Sequence, residues 1–561
     1  MTSMRRKLAT VISLALIGAL VPLAAPASAA PPGDIVEDVW VEVPLDSDGD
    51  GVRDRVHLNI TRPASDQKVG SIVLPTPYAG PGVDVPYPSV DVDRLPQETP
   101  AAGLADVMRG AAKRGQGKAV AAFRHYTNRG YAIITADSLG TNLSTGCPDT
   151  GGKDETAAMR AVVDWLDRKG RAYDAAGKPV TATWSLRRVA MSGVSYNGTL
   201  PIMAAITGKS ALKTIIPMSA VTSWYDYYRA NGLVVAPGGW QGEDLDVMSK
   251  YILTRENPEV CAAAMDRLTR IQDRVTGDYS RVWAERDYTA QAGKIQASVF
   301  VAQGLADWNV KPKQGIQLWS ALRGDRKLWL YDGGHGSPQS QEFSDAVDRW
   351  IDHYIYGTDN GVNREPRVTL EDADGTVTER TTSWPVPGTR TASLPLTAGP
   401  ATFTDNGRTQ TVEQLIAAES PHRLVYRWPT LPRDVRLSGT PYVDLKVSID
   451  NRTAANLTAV LVDYGPSGAD PVIVTRGWID PQNRASKSHS LPVVPGKKYK
   501  IRWDMQPEDY VFKAGHQIGV ALLSTDYDYT LRPLPGTQIT IDPTASRLDL
   551  PIVGGRQALG F

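Results

Sequence analysis

Short apolar runs alternate with segments of helical periodicity over much of this chain. The run GYAIITADS, residues 130–138, precedes ETAAMRAVVDWLDRK, in which Ala158, Val162 and Leu166 recur at helical spacing. Further apolar runs follow as RRVAMSGVS, LKTIIPMSA, ASVFVAQGLAD and KLWLYDGGH. Strands that alternate with helices over short connections form mostly parallel sheets covered by helices. We therefore expect an α/β fold whose functional residues follow the carboxyl ends of strands.

Breaks in this alternation predict the domain organisation. The catalytic sheet is expected over residues 30–223 and 289–360, opening with an antiparallel meander. Between residues 224 and 288 the strand pattern stops, and the chain becomes aromatic and then helical, which indicates a helical cap inserted over the sheet. Alternating runs separated by Pro, Gly and Asn predict a separate β-sandwich over residues 366–561.

The first 29 residues have the pattern of a secretory signal peptide. The basic residues 5–7 precede an apolar stretch from Leu8 to Ala24, and Ala27-Ser28-Ala29 is a cleavage site of the Ala-x-Ala type. We expect the mature chain to begin near Ala30 and to be secreted to the extracellular space. No later stretch is long and apolar enough to span a bilayer, so we expect no membrane attachment after cleavage.

Cys147 and Cys261 are the only two cysteines in the sequence. An even number of cysteines in an exported chain favours one disulfide, and the alternative is a pair of buried free thiols. Lys plus Arg and Asp plus Glu both number 61, so net charge does not favour nucleic acid or an anionic surface as a partner. We expect a local pocket to select the substrate.

Ser195 lies in MSGVSYNGTLP, between Gly193 and Gly198. The nucleophile elbow of many hydrolases reads Gly-x-Ser-x-Gly, because its sharp strand-to-helix turn leaves little room for side chains. Here Asn197 stands where the second glycine is expected, and that glycine comes one residue late. Although many serines in glycine-flanked turns are structural, an apolar strand precedes Ser195 and a helix-compatible segment follows it. We interpret Ser195 as a nucleophile.

A serine nucleophile requires a base, and the base requires an orienting acid. In this type of fold the chain order is serine, acid, histidine, and His335 follows the strand-like KLWL in a glycine-rich loop. We predict that His335 is the general base and then the general acid. The other histidines after Ser195 are interpreted as structural, one in a helix pattern and three in the predicted sandwich: His353, His422, His489 and His516.

Asp307 is the predicted orienting acid, because it ends the apolar run SVFVAQGLAD. Its competitor, Asp332, lies only three residues before His335 and suits a role within that loop. Acyl transfer also needs donors aimed at the developing oxyanion. The backbone N–H of Tyr196 is the first predicted donor, and the phenol of Tyr78 in VLPTPYAGPG is the second; the alternative for Tyr78 is packing beneath the cap.

The Gly-x-Ser-Tyr-x-Gly pattern resembles the X-prolyl dipeptidyl aminopeptidase and cocaine esterase family of α/β-hydrolases, which shares the late glycine. The similarity covers nearly the whole mature chain and includes TPY, ADSLGTNLSTG, GLADWNV and GGHG. It implies an α/β-hydrolase sheet with a helical cap, a C-terminal sandwich of jelly-roll type, and hydrolysis without a cofactor. Intracellular bacterial members carry a large extra N-terminal helical domain, whereas here the sheet pattern begins soon after the leader.

The segment SWYDYYRANGLVVAPGGWQGEDLDV is similar to the dipeptidyl-peptidase branch of that family. The resemblance implies that the substrate-binding site has two parts. The proline pocket would be lined by Trp224, Tyr227 and Trp240, and the free amino terminus would be bound by Glu243 and Asn309. A buried peptide ammonium needs a carboxylate, and an anchor at a fixed distance from the nucleophile would release dipeptides. The alternatives are that the aromatic residues form the core of the cap and that Glu243 lies in a solvated turn.

The stretch DSDGDGVRD places Asp46, Asp48 and Asp50 as in the first half of a calcium loop. The twelfth position of that loop is His57 rather than a glutamate, and its flanks have strand character. A tight turn between two strands is the simpler interpretation, so we expect no metal site.

Three functional hypotheses follow. The leading one is a secreted serine exopeptidase that acts on peptides with proline at the second position. The second is an esterase or amino-acid-ester acylase with the same triad. The third, from a different class, is a secreted binding module in which the sandwich recognises carbohydrate or cell wall and the hydrolase domain is inert.

Overall fold

A computed structural model describes residues 33–95, 98–99, 124–396, 401–466, 468 and 470–561. The predicted signal peptide lies outside the described residues. Eleven strands form one large mixed sheet: β1 (Asp34–Glu42), β2 (Arg55–Pro63), β3 (Val69–Thr76), β4 (Tyr131–Asp137), β5 (Ala172–Tyr173), β6 (Ser185–Val194), β7 (Leu212–Met218), β8 (Ser298–Gly304), β9 (Arg326–Tyr331), β10 (Val368–Glu371) and β11 (Val377–Thr381).

The order of the strands across this sheet is β11-β10-β9-β8-β7-β6-β3-β4-β2-β1-β5. The run from β10 to β4 is parallel, while β1, β2, β5 and β11 pair antiparallel with their neighbours. The sequence predicted an antiparallel meander of three runs between Asp38 and Pro77. The first two form the antiparallel β1–β2 pair, but the third, β3, pairs in parallel with β4 and β6. Parallel strands place all their carboxyl ends at one edge, so residues after β6, β8 and β9 can meet there.

Ten α-helices lie in the described part of the chain: α1 (Lys153–Leu166), α2 (Tyr196–Ala205), α3 (Trp224–Tyr228), α4 (Leu245–Ile252), α5 (Ala262–Ile271), α6 (Arg281–Glu285), α7 (Lys313–Ala321), α8 (Gln341–Tyr356), α9 (Val412–Ala417) and α10 (Arg556–Leu559). Among these described helices, no segment combines the length and apolar character that a membrane crossing requires. Helix α8 has clear boundaries, because Ser340 caps its first turn and Gly357 ends it in the left-handed conformation.

The large sheet is buried on both faces. Successive residues of β8 point to opposite sides, so Val299 and Val301 pack in one core while Phe300 and Ala302 pack in another. The first core also contains residues of α1, α2 and α7, and the second contains residues of α8. A fully buried strand explains why the apolar runs of the sequence are continuous rather than alternating.

The cap predicted over residues 224–288 consists of four helices, α3 to α6, and a hairpin of Arg229–Ala230 with Leu233–Val234. Most of its aromatic residues are buried, and Trp224, Tyr225, Tyr228 and Trp283 are among the largest fully buried side chains. A disulfide joins Cys261 of the cap to Cys147 of the sheet domain, with a Cα–Cα distance of 5.5 Å. The cap is therefore covalently tied to the domain it covers.

The C-terminal domain is a sandwich of two antiparallel sheets. One contains β12 (Thr389–Pro395), β13 (Thr402–Thr404), β15 (Val435–Gly439), β16 (Tyr442–Ile449), β19 (Tyr499–Asp504), β20 (Glu508–Phe512), β22 (Gln538–Ile541) and β23 (Arg547–Val553). The other contains β14 (Leu424–Arg427), β17 (Leu457–Asp463), β18 (Val472–Ile479) and β21 (Ile518–Leu523).

The sandwich begins later than the sequence predicted. We expected it from residue 366, but β10 pairs in parallel with β9, and β11 returns antiparallel to β10. These two strands extend the large sheet, and the first sandwich strand is β12. Periodicity could not find this boundary, because an edge hairpin and a sandwich strand both alternate apolar and polar residues.

Candidate active site

The turn at Ser195 is a strained strand-to-helix elbow. Ser195 follows β6 directly and precedes α2, and its backbone has φ 63° and ψ −133°, which a residue with a side chain adopts at a cost. Its N–H donates to the Met218 carbonyl at 2.9 Å, which ties the elbow to β7. This geometry presents the serine at the carboxyl edge of the sheet.

The late glycine of the motif has a packing reason. A Cβ at Gly198 would lie 2.6 Å from the Gly193 carbonyl oxygen and 3.0 Å from the Ala220 Cβ. A Cβ at Gly193 would lie 2.4 Å from the Asn197 carbonyl. The first turn of α2 thus packs directly on the end of β6, and glycine is needed at 198 because the close approach occurs there rather than at Asn197.

His335 and Asp307 are in contact at the same edge. The His335 Nδ1 atom lies 2.8 Å from Asp307 Oδ2, and both side chains are buried. The backbone N–H groups of Asn309 and Val310 donate to Asp307 Oδ1 at 3.0 and 2.8 Å, which holds the carboxylate in one orientation. A carboxylate on Nδ1 leaves Nε2 free to exchange a proton.

The structure separates the two candidate acids. Asp307 follows β8 and is hydrogen-bonded to the imidazole of His335. Asp332, in the loop after β9, is exposed, and its backbone N–H donates to the Glu371 carbonyl. Among the described residues no hydrogen bond joins Ser195 Oγ to His335. Catalytic contacts of this kind are commonly longer in a ligand-free hydrolase than in its substrate complex.

Tyr196 and Tyr78 stand beside the elbow. Tyr196 is the first residue of α2, so its N–H is one of the free donors at that helix start. Tyr78 lies just beyond β3, and its ring meets that of Tyr196 edge-on with the centroids 6.2 Å apart. Burial raises the pKa of the Tyr78 phenol well above its ordinary value, so the phenol keeps its proton and can donate a hydrogen bond.

Glu155 is a member of the site that sequence reasoning missed. It is fully buried in the first turn of α1 and accepts hydrogen bonds from the Tyr196 phenol at 2.5 Å, the Gly151 N–H at 2.6 Å and the Ser138 hydroxyl at 2.8 Å. Burial raises the pKa of Glu155 to about 7. The sequence carries no signal for this role, because an acidic residue at a helix start ordinarily serves the helix dipole in solvent.

The predicted proline-pocket residues form an aromatic cluster between the cap and the sheet domain. Tyr227 is buried, and its phenol donates to Asn309 Oδ1 at 2.7 Å. Trp224 is 1% exposed, its indole N–H donates to Tyr288, and its ring stacks on Tyr228. Trp240 is only partly buried. Trp224 therefore packs inside the protein, as the cap-core alternative had it, while Tyr227 contacts the predicted amine-binding residue Asn309.

Glu243 is buried rather than part of a solvated turn. It is 7% exposed and accepts a hydrogen bond from the Tyr228 phenol at 2.8 Å. Burial raises the pKa of Glu243 to about 7, against the opposing effects of the Tyr228 hydrogen bond and the Lys311 charge. Its neighbour Asp244 pairs with the fully buried Arg229 at 2.9 Å. Of the two adjacent carboxylates, Glu243 is thus the one without a direct cationic partner among the described residues.

The C-terminal sandwich borders this pocket. The connection after β21 runs beside the cap, where the Ala236 N–H donates to the Tyr529 carbonyl at 2.6 Å and Val235 bridges Thr530. A cavity at this junction is lined by cap and sandwich residues that include Glu243, Ala236 and Tyr529. No site residue was predicted in the sandwich, because no local sequence pattern shows which of its loops reaches the cap.

The DSDGDGVRD segment forms a turn that is held by hydrogen bonds within the segment. Asp46 accepts the N–H groups of residues 49, 50 and 51, and Arg255 forms an ion pair with Asp48. The carboxylates of Asp46, Asp48 and Asp50 offer oxygens within 4.8 Å of one another. These contacts agree with the predicted turn, since backbone donors and a guanidinium already serve Asp46 and Asp48. His57 lies away from the turn, in contact with Asp38 and Asp137.

Two family models match the chain. The model described as X-Pro dipeptidyl-peptidase (S15 family) matches residues 48–337, and the model described as X-Pro dipeptidyl-peptidase C-terminal non-catalytic domain matches residues 360–558. Together they cover the cap and most of the sheet domain and the sandwich.

Curated relatives agree with these matches, and solved structures share the fold. A Bacillus anthracis protein, named provisionally as an Xaa-Pro dipeptidyl-peptidase, is 45% identical over 92% of this chain and 88% of its own length. The Xaa-Pro dipeptidyl-peptidase of Lacticaseibacillus casei is 31% identical over 92% of this chain and 76% of its own length. A CocE/NonD family hydrolase from Staphylococcus aureus has the same fold, with a TM-score of 0.67 at 14% identity over 95% of this chain and 99% of its own.

Proposed function

Because the chain belongs to the S15 family of X-Pro dipeptidyl-peptidases, we propose that it is a serine exopeptidase that releases Xaa-Pro dipeptides through an acyl-enzyme. The observation that carries the proposal is the His335–Asp307 hydrogen bond of 2.8 Å at the sheet edge where the strained elbow presents Ser195. Ser195, Asp307 and His335 follow the parallel strands β6, β8 and β9, in the chain order of an α/β-hydrolase triad.

The proposed reaction begins with attack of Ser195 Oγ on the carbonyl carbon of the proline residue. His335 Nε2 takes the hydroxyl proton, and the Tyr196 N–H and the Tyr78 phenol donate to the oxyanion that forms. When the C–N bond breaks, His335 gives the proton to the leaving amine of the shortened peptide. Water then attacks the acyl-enzyme with His335 again as base, which releases the dipeptide and restores Ser195.

The proposed pocket explains why cleavage would occur after the second residue. Glu243 and Asn309 bind the free amino terminus, because a buried ammonium needs a carboxylate and Glu243 has no direct cationic partner among the described residues. The Tyr227 ring faces the proline ring, with Trp224 packed behind it against Tyr228. An amine anchor at a fixed distance from the nucleophile admits two residues before the scissile bond.

Secretion is also part of the proposal. The leader pattern of residues 1–29 supports it, and so does the Cys147–Cys261 disulfide, which suits an oxidising compartment. Expression of the full chain in a bacterium with a secretory pathway, followed by amino-terminal sequencing of the protein in the medium, tests it. We expect a mature terminus near Ala30; retention of the uncleaved chain inside the cell would contradict the proposal.

The activity test compares three substrates with the same enzyme: Gly-Pro p-nitroanilide, its N-acetylated form, and p-nitrophenyl acetate. We expect cleavage of the free-amine amide, little cleavage of the blocked amide, and no activity in Ser195→Ala. Turnover of the ester alone would retain Ser195 as nucleophile but replace the peptidase assignment by the esterase alternative. This second candidate makes the ester an essential comparison.

A further inference from the structure

Lys311 carries a buried ammonium that the proposed reaction does not use. It lies four residues after Asp307 in the loop that also holds Asn309, and the residue is 1% exposed. Its Nζ atom donates to the Ala236 carbonyl at 3.1 Å. Three aromatic rings surround it with centroids at 5.8 to 5.9 Å, Tyr227 from the cap and Trp478 and Tyr529 from the sandwich. Such rings stabilise a cation only in part, so a charged lysine here needs a nearby negative charge.

Four carboxylates act electrostatically on Lys311, in decreasing order Asp307 of its own loop, Asp526 of the sandwich, Asp226 of helix α3 and Glu243 of the later cap loop. Three of them already have partners. Asp307 contacts His335 at 2.8 Å, Asp226 lies 3.4 Å from Lys313, and Asp526 lies 3.1 Å from Arg476.

Glu243 is the remaining member of this set. The only hydrogen-bond or ion-pair contact of its carboxylate among the described residues is with the neutral Tyr228 phenol, and the adjacent Asp244 carboxylate pairs with Arg229 and Arg274. Lys311 in turn has no carboxylate within ion-pair distance in the described chain; its polar contact is the Ala236 carbonyl. One buried acid and one buried base near the same pocket therefore lack direct partners of opposite charge.

Lys311 and Glu243 are linked through residues that contact or lie beside them. Ala236, which accepts from Lys311, lies on the same cap loop as Glu243, and both line the cavity beside Tyr529. Tyr227 lies beside Lys311 and meets Tyr228, the donor to Glu243, with ring centroids 4.7 Å apart. The side chains that link them are aromatic, and a protein interior screens charge far less than water does.

We propose that the buried ammonium of Lys311 is the internal counter-charge of Glu243, and that Lys311 is thereby a positioning residue for the free amino terminus of the substrate. This inference rests on the proposed peptidase function. Lys311 touches no reacting atom; it acts by favouring the carboxylate form of Glu243, which is the form that binds an ammonium group.

The direction of the effect follows from the charges. Burial raises the pKa of Glu243 to about 7 and lowers the pKa of Lys311 to about 8, while each charge opposes the change at the other. Removal of the lysine charge therefore raises the pKa of Glu243 further, and the carboxylate becomes protonated at a higher pH. Recognition of the substrate ammonium is then lost earlier as the pH falls.

The experiment measures pH profiles of kcat/KM for Lys311→Gln, which removes the charge but retains a donor for the Ala236 carbonyl. With Gly-Pro p-nitroanilide we expect the acidic limb to move upward by about one pH unit, mainly through KM. With p-nitrophenyl acetate, which has no amine for Glu243 to bind, we expect the acidic limb to stay in place. Lys311→Arg is expected to restore the wild-type profile.

Lys313→Gln is the matched control. Lys313 is another lysine at the junction of cap and sandwich, but it pairs directly with Asp226 and Asp504 at 3.4 and 3.0 Å. Removal of the Lys313 charge is expected to lower the stability of the protein without shifting the acidic limb of the kcat/KM profile. If the acidic limb measured with the Gly-Pro amide does not shift in Lys311→Gln, the inference is overturned. An equal shift for amide and ester would do the same, because the effect would then act through Asp307 and His335.

A double-mutant cycle supplies a readout that does not depend on activity. If Lys311 balances Glu243, the Tm loss of Lys311→Gln is smaller in the Glu243→Gln background than in the wild type, because the double variant leaves no buried charge without its partner. Additive losses would refute the pairing even if the enzyme cleaved no peptide. Absence of Gly-Pro amidase activity in the wild type together with a non-additive cycle would instead reject only the peptidase assignment.

Discussion

The Tyr196 phenol donates a 2.5 Å hydrogen bond to Glu155, which lies 41 residues earlier in the chain at the start of another helix. Tyr196 is also the residue whose backbone N–H we propose as an oxyanion donor. The contact therefore links the orientation of that donor to a buried carboxylate of α1. The same carboxylate holds the Gly151 N–H, so one side chain connects the elbow to the loop beneath the cap.

Replacement of this carboxylate should change how stability depends on pH. Burial raises the pKa of Glu155 from 4.5 to about 7, so the folded state binds a proton more strongly than the unfolded chain. Stability is therefore lost as the pH rises from about 4.5 to 7, by roughly 3 kcal/mol for this group. Urea unfolding at several pH values should give a flatter profile for Glu155→Gln than for the wild type. Parallel profiles would exclude this titration.

Replacement of Gly198 tests the packing explanation of the motif. An alanine Cβ would lie 2.6 Å from the Gly193 carbonyl oxygen, so α2 must move and Ser195 must move with it. We expect kcat to fall by about 100-fold and stability to fall by about 1–3 kcal/mol. Gly324→Ala is the control, since its Cβ would meet no atom within 4 Å. Equal behaviour of the two variants would refute the explanation.

The choice of triad acid can be tested with a pair of asparagine variants. Asp307→Asn removes the carboxylate that orients His335, and we expect kcat to fall by about 10⁴-fold. Asp332→Asn changes an exposed carboxylate in the loop that carries His335 and should leave kcat within a factor of about three. Steady-state kinetics on Gly-Pro p-nitroanilide measures both. The reverse ranking would make Asp332 the catalytic acid.

Glu243→Gln should separate amine recognition from acyl transfer. Loss of a buried charge-assisted contact of about 1.5–3 kcal/mol predicts a decrease in kcat/KM of roughly 10- to 100-fold for free-amine substrates. Hydrolysis of p-nitrophenyl acetate should persist, because the ester presents no ammonium. A uniform loss on both substrates would indicate a structural role for Glu243 rather than an amine anchor.

Removal of the disulfide should loosen the attachment of the cap. The bond joins residues 114 positions apart, and closure of a loop of that length stabilises a fold by about 4–5 kcal/mol in the chain-entropy estimate. Cys147→Ser/Cys261→Ser should therefore unfold at a lower urea concentration. The reduced wild-type protein should unfold like the variant. If reduction leaves the urea midpoint unchanged, the bond contributes little in solution.

Some features were predictable because they depend on residues close together in the sequence. The apolar runs of β6, β8 and β9, each followed by a polar residue, were sufficient to nominate Ser195, Asp307 and His335. A parallel sheet brings its strand ends to one edge whatever the details of packing. The cap was visible for a similar reason, since a stretch of about sixty residues without strand periodicity cannot continue the sheet.

Other features became apparent only from tertiary contacts. Glu155 differs from an ordinary helix-start acid only through the distant groups that enclose it, Tyr196, Gly151 and Ser138. Lys311 is surrounded by side chains of the cap and the sandwich, which no local pattern could bring together.

By itself, then, the sequence determined the order of elements, the triad candidates and the predicted cysteine pair. Only the tertiary structure decided that Glu243 is buried without a direct cationic partner in the described chain, that Trp224 packs inside the protein, and that β10 and β11 extend the sheet domain. The physical reason is that strand and helix formation depends on near neighbours along the chain. Burial of a charge and the choice of its partner depend on whichever distant segments exclude water from it.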